Sequence, residues 1–149
     1  MRAGTLNTPG IAGLGHAFEL ISKNIEHDRE RISVLRDQLE TELKETLQVH
    51  INGNPEARLP NTMSVTIDGV VPQALMQKLR TDLCFSASSA CATEHVETSH
   101  VLLAMFGDTQ RARNAFRLGL GRQTRGEDIS RIAELFGQAT AELLRLRSA

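Results

Sequence analysis

Apolar residues recur at Ile11, Leu14, Phe18, Ile21, Ile25, Ile32, Leu35, Leu39, Leu43 and Leu47. The steps are mostly three and four residues, the spacing of an amphipathic helix. Ahead of them the segment MRAGTLNTPG, residues 1–10, is rich in Gly, Thr, Asn and Pro and reads as loop. The apolar stripe misses one beat at the polar run Glu26 to Arg31, EHDRER. A bend, or a change of packing partner, is expected near residues 25–29. A helix from Ile11 to Leu47 would be about 55 Å long. A compact domain of this chain length is about 38 Å across. Either the helix breaks, or its first half packs on a surface that this chain does not supply.

After the helix the period shortens. Val49 and Ile51 read as a short strand ending in the turn residues Asn52-Gly53-Asn54-Pro55. The alternation over Asn61–Ile67 reads as a half-buried strand, closed by Asp68-Gly69. A helix is expected from Val71-Pro72 to about Arg80, with Leu75, Met76 and Leu79 on its apolar face. Leu83–Ser86 is a third strand candidate. A helix follows at about Thr98 to Met105, then a segment starting near Thr109, then a fourth strand over Phe116–Leu120. The last helix spans about Gly126 to Leu146, with Thr124 as its N-cap and acids in its first turn. The order describes an α+β fold: a long linking helix, then a small domain whose three- to four-stranded, mostly antiparallel sheet is covered by helices on one face.

Composition narrows the function classes. The chain has 149 residues, 17 Lys+Arg against 18 Asp+Glu, and a formal net charge of −1. That balance argues against a phosphate-backbone binder, and 3% aromatics argues against a stacking platform for single strands. No direct nucleic-acid contact is expected. The apolar runs are far shorter than the roughly 20 residues that span a bilayer, and the first residues hold no apolar signal core, so no membrane association is expected. Two cysteines make no disulfide framework, which points to a reducing, cytoplasmic setting.

Cys91 follows the small-residue run Ser86-Ala87-Ser88-Ser89-Ala90 and precedes Ala92-Thr93-Glu94-His95. Such a setting suits an exposed, reactive thiolate, with His95 as a nearby cation. The competing reading is a buried cysteine acting as a small hydrophobe. Cys84, among apolar neighbours, reads as structural. Zinc binding by Cys84, Cys91, His95 and His100 fits poorly, because paired zinc ligands normally stand two to four residues apart. Arg117 alternates with Phe116 and Leu118 and so faces away from them, a good place for a carboxylate fork or for a solvated arginine. Arg122 and Arg125 read as surface charges, and His16, His27 and His50 as structural or solvated. Gly4-Thr5 could help to hold a phosphate through a backbone N–H and a hydroxyl.

Five segments resemble, in order, the C-terminal part of cysteine desulfurases of the NifS/IscS group, pyridoxal-phosphate enzymes of the class V aminotransferase fold. Arg2-Ala3-Gly4-Thr5-Leu6-Asn7 resembles the family's RSGT/RAGT segment. Arg58-Leu59-Pro60-Asn61-Thr62 resembles its RLPNT strand start. Ser86 to Cys91 resembles its SSGSAC loop, Glu97 to Leu102 its EPSHVL helix start, and Phe116 to Arg122 its IRFSLGR strand. The resemblance implies the C-terminal small domain of fold-type I pyridoxal-phosphate enzymes. It implies that Cys91 is the nucleophile that takes sulfur from L-cysteine as a persulfide, leaving L-alanine. It implies that Arg117 binds the substrate carboxylate, and that Thr5 reaches the cofactor phosphate, typically in the other subunit of a homodimer. A sulfur-acceptor protein is the implied partner, in iron–sulfur cluster assembly or a related pathway.

The sequence departs from the family pattern at Ser88, usually Gly, and Ala87, usually Ser, which implies a stiffer loop. The continuation Ala92-Thr93-Glu94-His95 also differs and points to the branch that serves DNA phosphorothioation. The family's Schiff-base lysine, its ring-stacking His and its pyridine-nitrogen Asp all lie upstream of the RAGT segment. Residues 1–25 then correspond to the end of the large cofactor domain and the start of the linking helix, and residues 26–149 to the small domain. Pyridoxal 5′-phosphate is expected to be bound mainly by a large domain absent from this chain, and the chain to be inactive alone. Two further readings stay open: a non-catalytic fragment that docks on a desulfurase or sulfur-acceptor partner, and a metal or redox module using Cys84 and Cys91.

Overall fold

The computed structural model describes residues 4–87 and 98–148. Helix α1 spans Thr8–Thr46, 39 residues, or about 58 Å of helix. It starts earlier than the composition of residues 1–10 suggests. Asn7 caps it, accepting the Gly10 N–H at 3.1 Å, and Pro9 occupies the first turn, where a missing N–H costs nothing.

The helix runs unbroken through the polar stretch at 26–31, and what changes there is the packing. Ile25 is 53% exposed, whereas Ile32 is 7% exposed and Leu39 and Leu43 are buried. The polar residues themselves meet the loop that follows the last strand. Asp28 pairs with Arg122 at 2.8 Å, and Arg31 donates to the carbonyls of Arg122 and Thr124, each at 2.8 Å. Arg122 is thus a surface charge, as its loop position predicts, and it is paired to α1.

Four strands follow: β1 (Val49–Asn52), β2 (Thr62–Ile67), β3 (Ser86–Ala87) and β4 (Ala115–Gly119). They form one sheet in the order β1-β2-β4-β3, with every pair antiparallel. Between them lie α2 (Pro72–Leu79), α3 (His100–Phe106) and α4 (Gln110–Arg113), and α5 (Gly126–Ser148) ends the chain. Strand β3 is shorter than the apolar run Leu83–Phe85 predicts. The N–H groups of Asp82 and Leu83 still bond the Leu79 carbonyl, so the chain is completing a helical turn there and pairing with β4 begins only at Ser86 and continues to Ala87. At the start of α5, Thr124 does not cap the helix. Its hydroxyl accepts the Gly121 N–H in the preceding turn, and Asp128 takes the Arg125 N–H at 2.7 Å. Gly69, just after β2, has a positive φ of 75°, a backbone conformation that disfavours any side chain.

The core lies on one face of the sheet. Met63, Val65 and Ile67 of β2 and Phe116 and Leu118 of β4 pack against α1, α2 and α5. Phe85, Phe116 and Phe136 cluster at its centre, with ring centroids 5.2–5.7 Å apart. The opposite face, expected to be bare, is partly covered as well. Ala115 alternates to that side and packs with Leu102 of α3 and Ala112 of α4, where small side chains let the helices approach. Among the described residues, no helix is long and apolar enough to cross a membrane.

A charge cluster pins the segment before β2 to α1. Arg36, 7% exposed, donates to the Leu59 carbonyl at 2.8 Å and pairs with Asp37. Arg58 bridges Asp37 at 3.0 Å and Glu40 at 2.7 Å, and Lys44 pairs with Glu40 at 2.5 Å. Burial by itself would raise the Glu40 carboxyl. Hydrogen bonds from Lys44 and Arg58 outweigh it and hold the group below its ordinary 4.5. The stabilisation is thus complete above the ordinary carboxylate range and is lost as pH falls through the lowered folded value. Glu40→Gln should lower the unfolding free energy by about 1–3 kcal/mol at neutral pH. The gap to the wild type should shrink below about pH 4 in urea denaturation; a gap that persists in acid would refute the role of the carboxylate charge.

Candidate functional site

The alternation of β4 dictates where Arg117 goes. Phe116 and Leu118 are drawn into the core, so Arg117 must face the other side of the sheet, where it is exposed. The register then sets its neighbours. Ser64 of β2 and Ser86 of β3 stand opposite it on either side, and Asn52 of β1 stands opposite Ser64. Asn52, Ser64, Arg117 and Ser86 form one polar row across all four strands, with opposed Cβ atoms about 4.5–5.5 Å apart.

A cleft of about 290 Å³ opens over this row, lined by Asn52, Ser64, Ser99 and Arg117 together with Val101 and Met105 of α3. It joins one guanidinium, two hydroxyls and an apolar wall. Such a site suits a small molecule that carries a carboxylate beside a short, uncharged group.

The far end of the row is locked. Asn52, only 9% exposed, accepts from Arg111 Nε at 2.9 Å through Oδ1. Its Nδ2 donates to Thr66 Oγ1 at 3.0 Å and reaches Ser64 Oγ at 3.4 Å. Thr66 in turn donates to the Arg111 carbonyl at 3.0 Å, and Arg111 Nη2 to the Ile51 carbonyl at 3.0 Å. The Arg111 guanidinium also lies 4.2 Å from the centre of the Phe106 ring. From the sequence Asn52 reads as a turn residue, and neither Ser64 nor Arg111 stands out as a site residue. The alternation of Thr62, Ser64 and Thr66 with Met63, Val65 and Ile67 was the available signal for Ser64. Nothing local marks Arg111, which gains its role by folding back onto β1.

The structure places the other candidates as follows. Cys91 and His95 lie outside the described residues. The segment that holds them leaves the sheet at Ala87, which pairs with Phe116, and returns at Thr98 and Ser99, the latter lining the Arg117 cleft. Cys84 is exposed and outside any strand, because Leu83 and Phe85 take the inward positions on either side; the structural reading is corrected on that point. Among the described residues, no group of three or more metal-ligating side chains exists. His50 meets Asp68 at 3.0 Å on the surface.

Thr5 is exposed just ahead of α1 and is not brought to Arg117. The helix reaches the end of the sheet only at Ile21 and Ile25, and its first turn lies about 20 Å of helix further out. The residues at the Arg117 cleft do not fit a cofactor bound through an amine. The three lysines of the chain, Lys23, Lys44 and Lys78, are ion-paired to Glu19, Glu40 and Glu142 on helices, and none lines the cleft.

The profile of the family described as "Aminotransferase class-V" matches residues 1–132. The chain is 36% identical over 146 residues to the cysteine desulfurase IscS of Acinetobacter baumannii (strain AYE), covering 98% of this chain and 36% of that one. It is 40% identical over 148 residues to a cysteine desulfurase of Sinorhizobium fredii, covering 98% of this chain and 38% of that one. Among solved structures, a NifS-like protein from Rickettsia africae superposes with a TM-score of 0.79 at 32% identity, over 94% of this chain and 36% of the other. Another NifS-like protein superposes with a TM-score of 0.80 at 27% identity. The chain spans about a third of the length of these relatives.

Arg111→Ala should cost about 1–3 kcal/mol of stability, because Asn52 and the Ile51 carbonyl lose their donors. Arg113→Ala should leave stability nearly unchanged, since its pair with Asp108 is fully open to solvent. Chemical denaturation of the two variants measures the difference, and equal effects would sink the buried role of Arg111.

Proposed function

The chain belongs to the class-V aminotransferase family, and we propose that it forms the C-terminal part of a cysteine desulfurase. In this reading Arg117 binds the carboxylate of L-cysteine. The Cys91 thiolate takes the substrate sulfur: an S–S bond forms, the substrate C–S bond breaks, and the carbon accepts a proton. The products are L-alanine and a Cys91 persulfide, which passes to a sulfur-acceptor protein. Pyridoxal 5′-phosphate supplies the activation of the substrate carbon when it is bound. It is held mainly by a large domain outside this sequence, with Thr5 reaching the phosphate, in the family's manner across a homodimer.

The observation that carries the reading is the placement of Arg117. Its side chain faces a cleft large enough for an amino acid, and the segment bearing Cys91 leaves and rejoins the fold beside that cleft. The cysteine desulfurases to which the chain is similar match it over nearly its whole length. Residues 1–25 belong, in this reading, to the end of the large domain and the linking helix, and residues 26–149 to the small domain. The exposed stripe Ile11, Leu14, Phe18, Ile21 and Ile25 supports that division, since about 50–62% of each remains open to solvent. We place the protein in the cytoplasm, serving iron–sulfur cluster assembly or DNA phosphorothioation through its acceptor. The same exposed stripe also favours a second reading, a docking module without turnover.

The deciding experiment mixes this chain with a chain that supplies the large domain and pyridoxal phosphate, and measures sulfide release from L-cysteine. Turnover by the mixture and none by this chain alone is the expected result. Cys91→Ala should abolish turnover in the mixture; persistent sulfide release would remove the nucleophile assignment. Arg117→Ala should raise KM for L-cysteine about 10- to 100-fold, the loss of a charge-assisted contact. An unchanged KM would exclude Arg117 as the carboxylate ligand. A mixture that stays inactive would favour the docking module.

A further inference from the structure

We infer that Ser64 is a second ligand of the carboxylate held by Arg117, with its hydroxyl proton aimed by Asn52 and Arg111. The inference rests on the reading of Arg117 as the carboxylate site and extends it to a residue that distinguishes a carboxylate from a neutral group.

Ser64 stands directly opposite Arg117 and shares its face of the sheet and its cleft. A serine hydroxyl has one proton to give and two lone pairs to fill. On the β1 side it meets the Asn52 amide nitrogen at 3.4 Å, a donor. That amide cannot turn over. Its oxygen accepts Arg111 Nε at 2.9 Å and its nitrogen donates to Thr66 at 3.0 Å, so the flipped amide would set N–H against N–H at Arg111. Thr66 is fixed as well, because its own proton goes to the Arg111 carbonyl at 3.0 Å. Ser64 therefore finds no acceptor toward Asn52, and its proton points toward β4 and the cleft.

Arg117 cannot take that proton, since a guanidinium only donates. The cleft thus presents two donors side by side, one of them charged. Their complement is an anion with two acceptor oxygens, and a carboxylate offers both in one plane. A neutral amide would turn one of its own N–H donors against these donors and leave a polar group unpaired. Val101 and Met105 border the same cleft with apolar surface, which suits a short, uncharged side chain and not a second charged group. The ligand class is a small amino acid with a free carboxylate.

The test uses the full chain, isotope-labelled, with the backbone amide resonances of β2 and β4 and the arginine side-chain N–H resonances followed by NMR during titration with L-alanine and, separately, with L-alaninamide. The wild type should respond to L-alanine and far less to the amide. Ser64→Ala, with its backbone amide spectrum confirming the fold, should bind L-alanine about tenfold more weakly and lose much of the discrimination. Ser64→Thr, which keeps the hydroxyl, should stay within about threefold of the wild type. Arg117→Ala should abolish the response. If Arg117→Ala binds as the wild type does, or the wild type binds neither ligand, the reading of Arg117 fails and the inference falls with it. If Arg117→Ala loses binding while Ser64→Ala keeps both affinity and discrimination, only the role of Ser64 is overturned. Equal weakening in Ser64→Ala and Ser64→Thr would mark Ser64 as structural and overturn it too.

Discussion

The two-residue period of β4 governs this molecule. The strand lies between β2 and β3, and its side chains must alternate between the faces of the sheet. Phe116 and Leu118 fill the core, where Phe116 meets Phe85 and Phe136. Arg117 has no other place than the opposite face. The cleft, the polar row and the approach of α3 follow from that single constraint. A slip of one residue in register would bury the guanidinium and expose both large side chains, two penalties at once. The hydrophobic core therefore holds the charged site in position.

Helix α1 does two different jobs along one axis. From Ile32 to Leu43 it is part of the core. From Ile11 to Phe18 it offers an exposed apolar stripe, and Ile21 and Ile25 border a cleft with Pro60 and Leu120. The junction is polar, and its charges grip the rest of the fold: Asp28 and Arg31 hold the loop after β4, while Arg36, Asp37 and Glu40 hold the segment before β2. Both clamped segments adjoin the strands that carry the row. Helix α1 and the strands of the candidate site are thus joined through both segments.

The neighbouring residues of the site come from distant parts of the chain. Asn52, Ser64, Ser86 and Arg117 span four strands, and Arg111 folds back over the first of them. No window of sequence holds the constellation. Arg117 was legible because its two apolar neighbours mark its face. Ser64 lay in an equally clear alternation, but a serine on a solvent-side strand position is ordinary until a cation is seen beside it. Asn52 resembled a turn residue because Gly53 and Pro55 follow it, and its burial depends on Arg111, 59 residues away.

Local chemistry determined the elements. The spacing from Ile11 to Leu47, the alternation from Thr62 to Ile67 and the amphipathic face of the last helix are each legible within a dozen residues, since helical and strand periods are local properties. The resemblance of five short segments to cysteine desulfurases likewise needed only their order. Tertiary structure decided the rest. Cys84 was placed outside the core because Leu83 and Phe85 competed for the inward positions. The opposite face of the sheet was partly covered because Ala115 leaves room for α3 and α4. The register put two serines against Arg117. These outcomes depend on contacts between segments far apart in sequence, where packing and the pairing of buried polar groups, not propensity, set the lowest free energy.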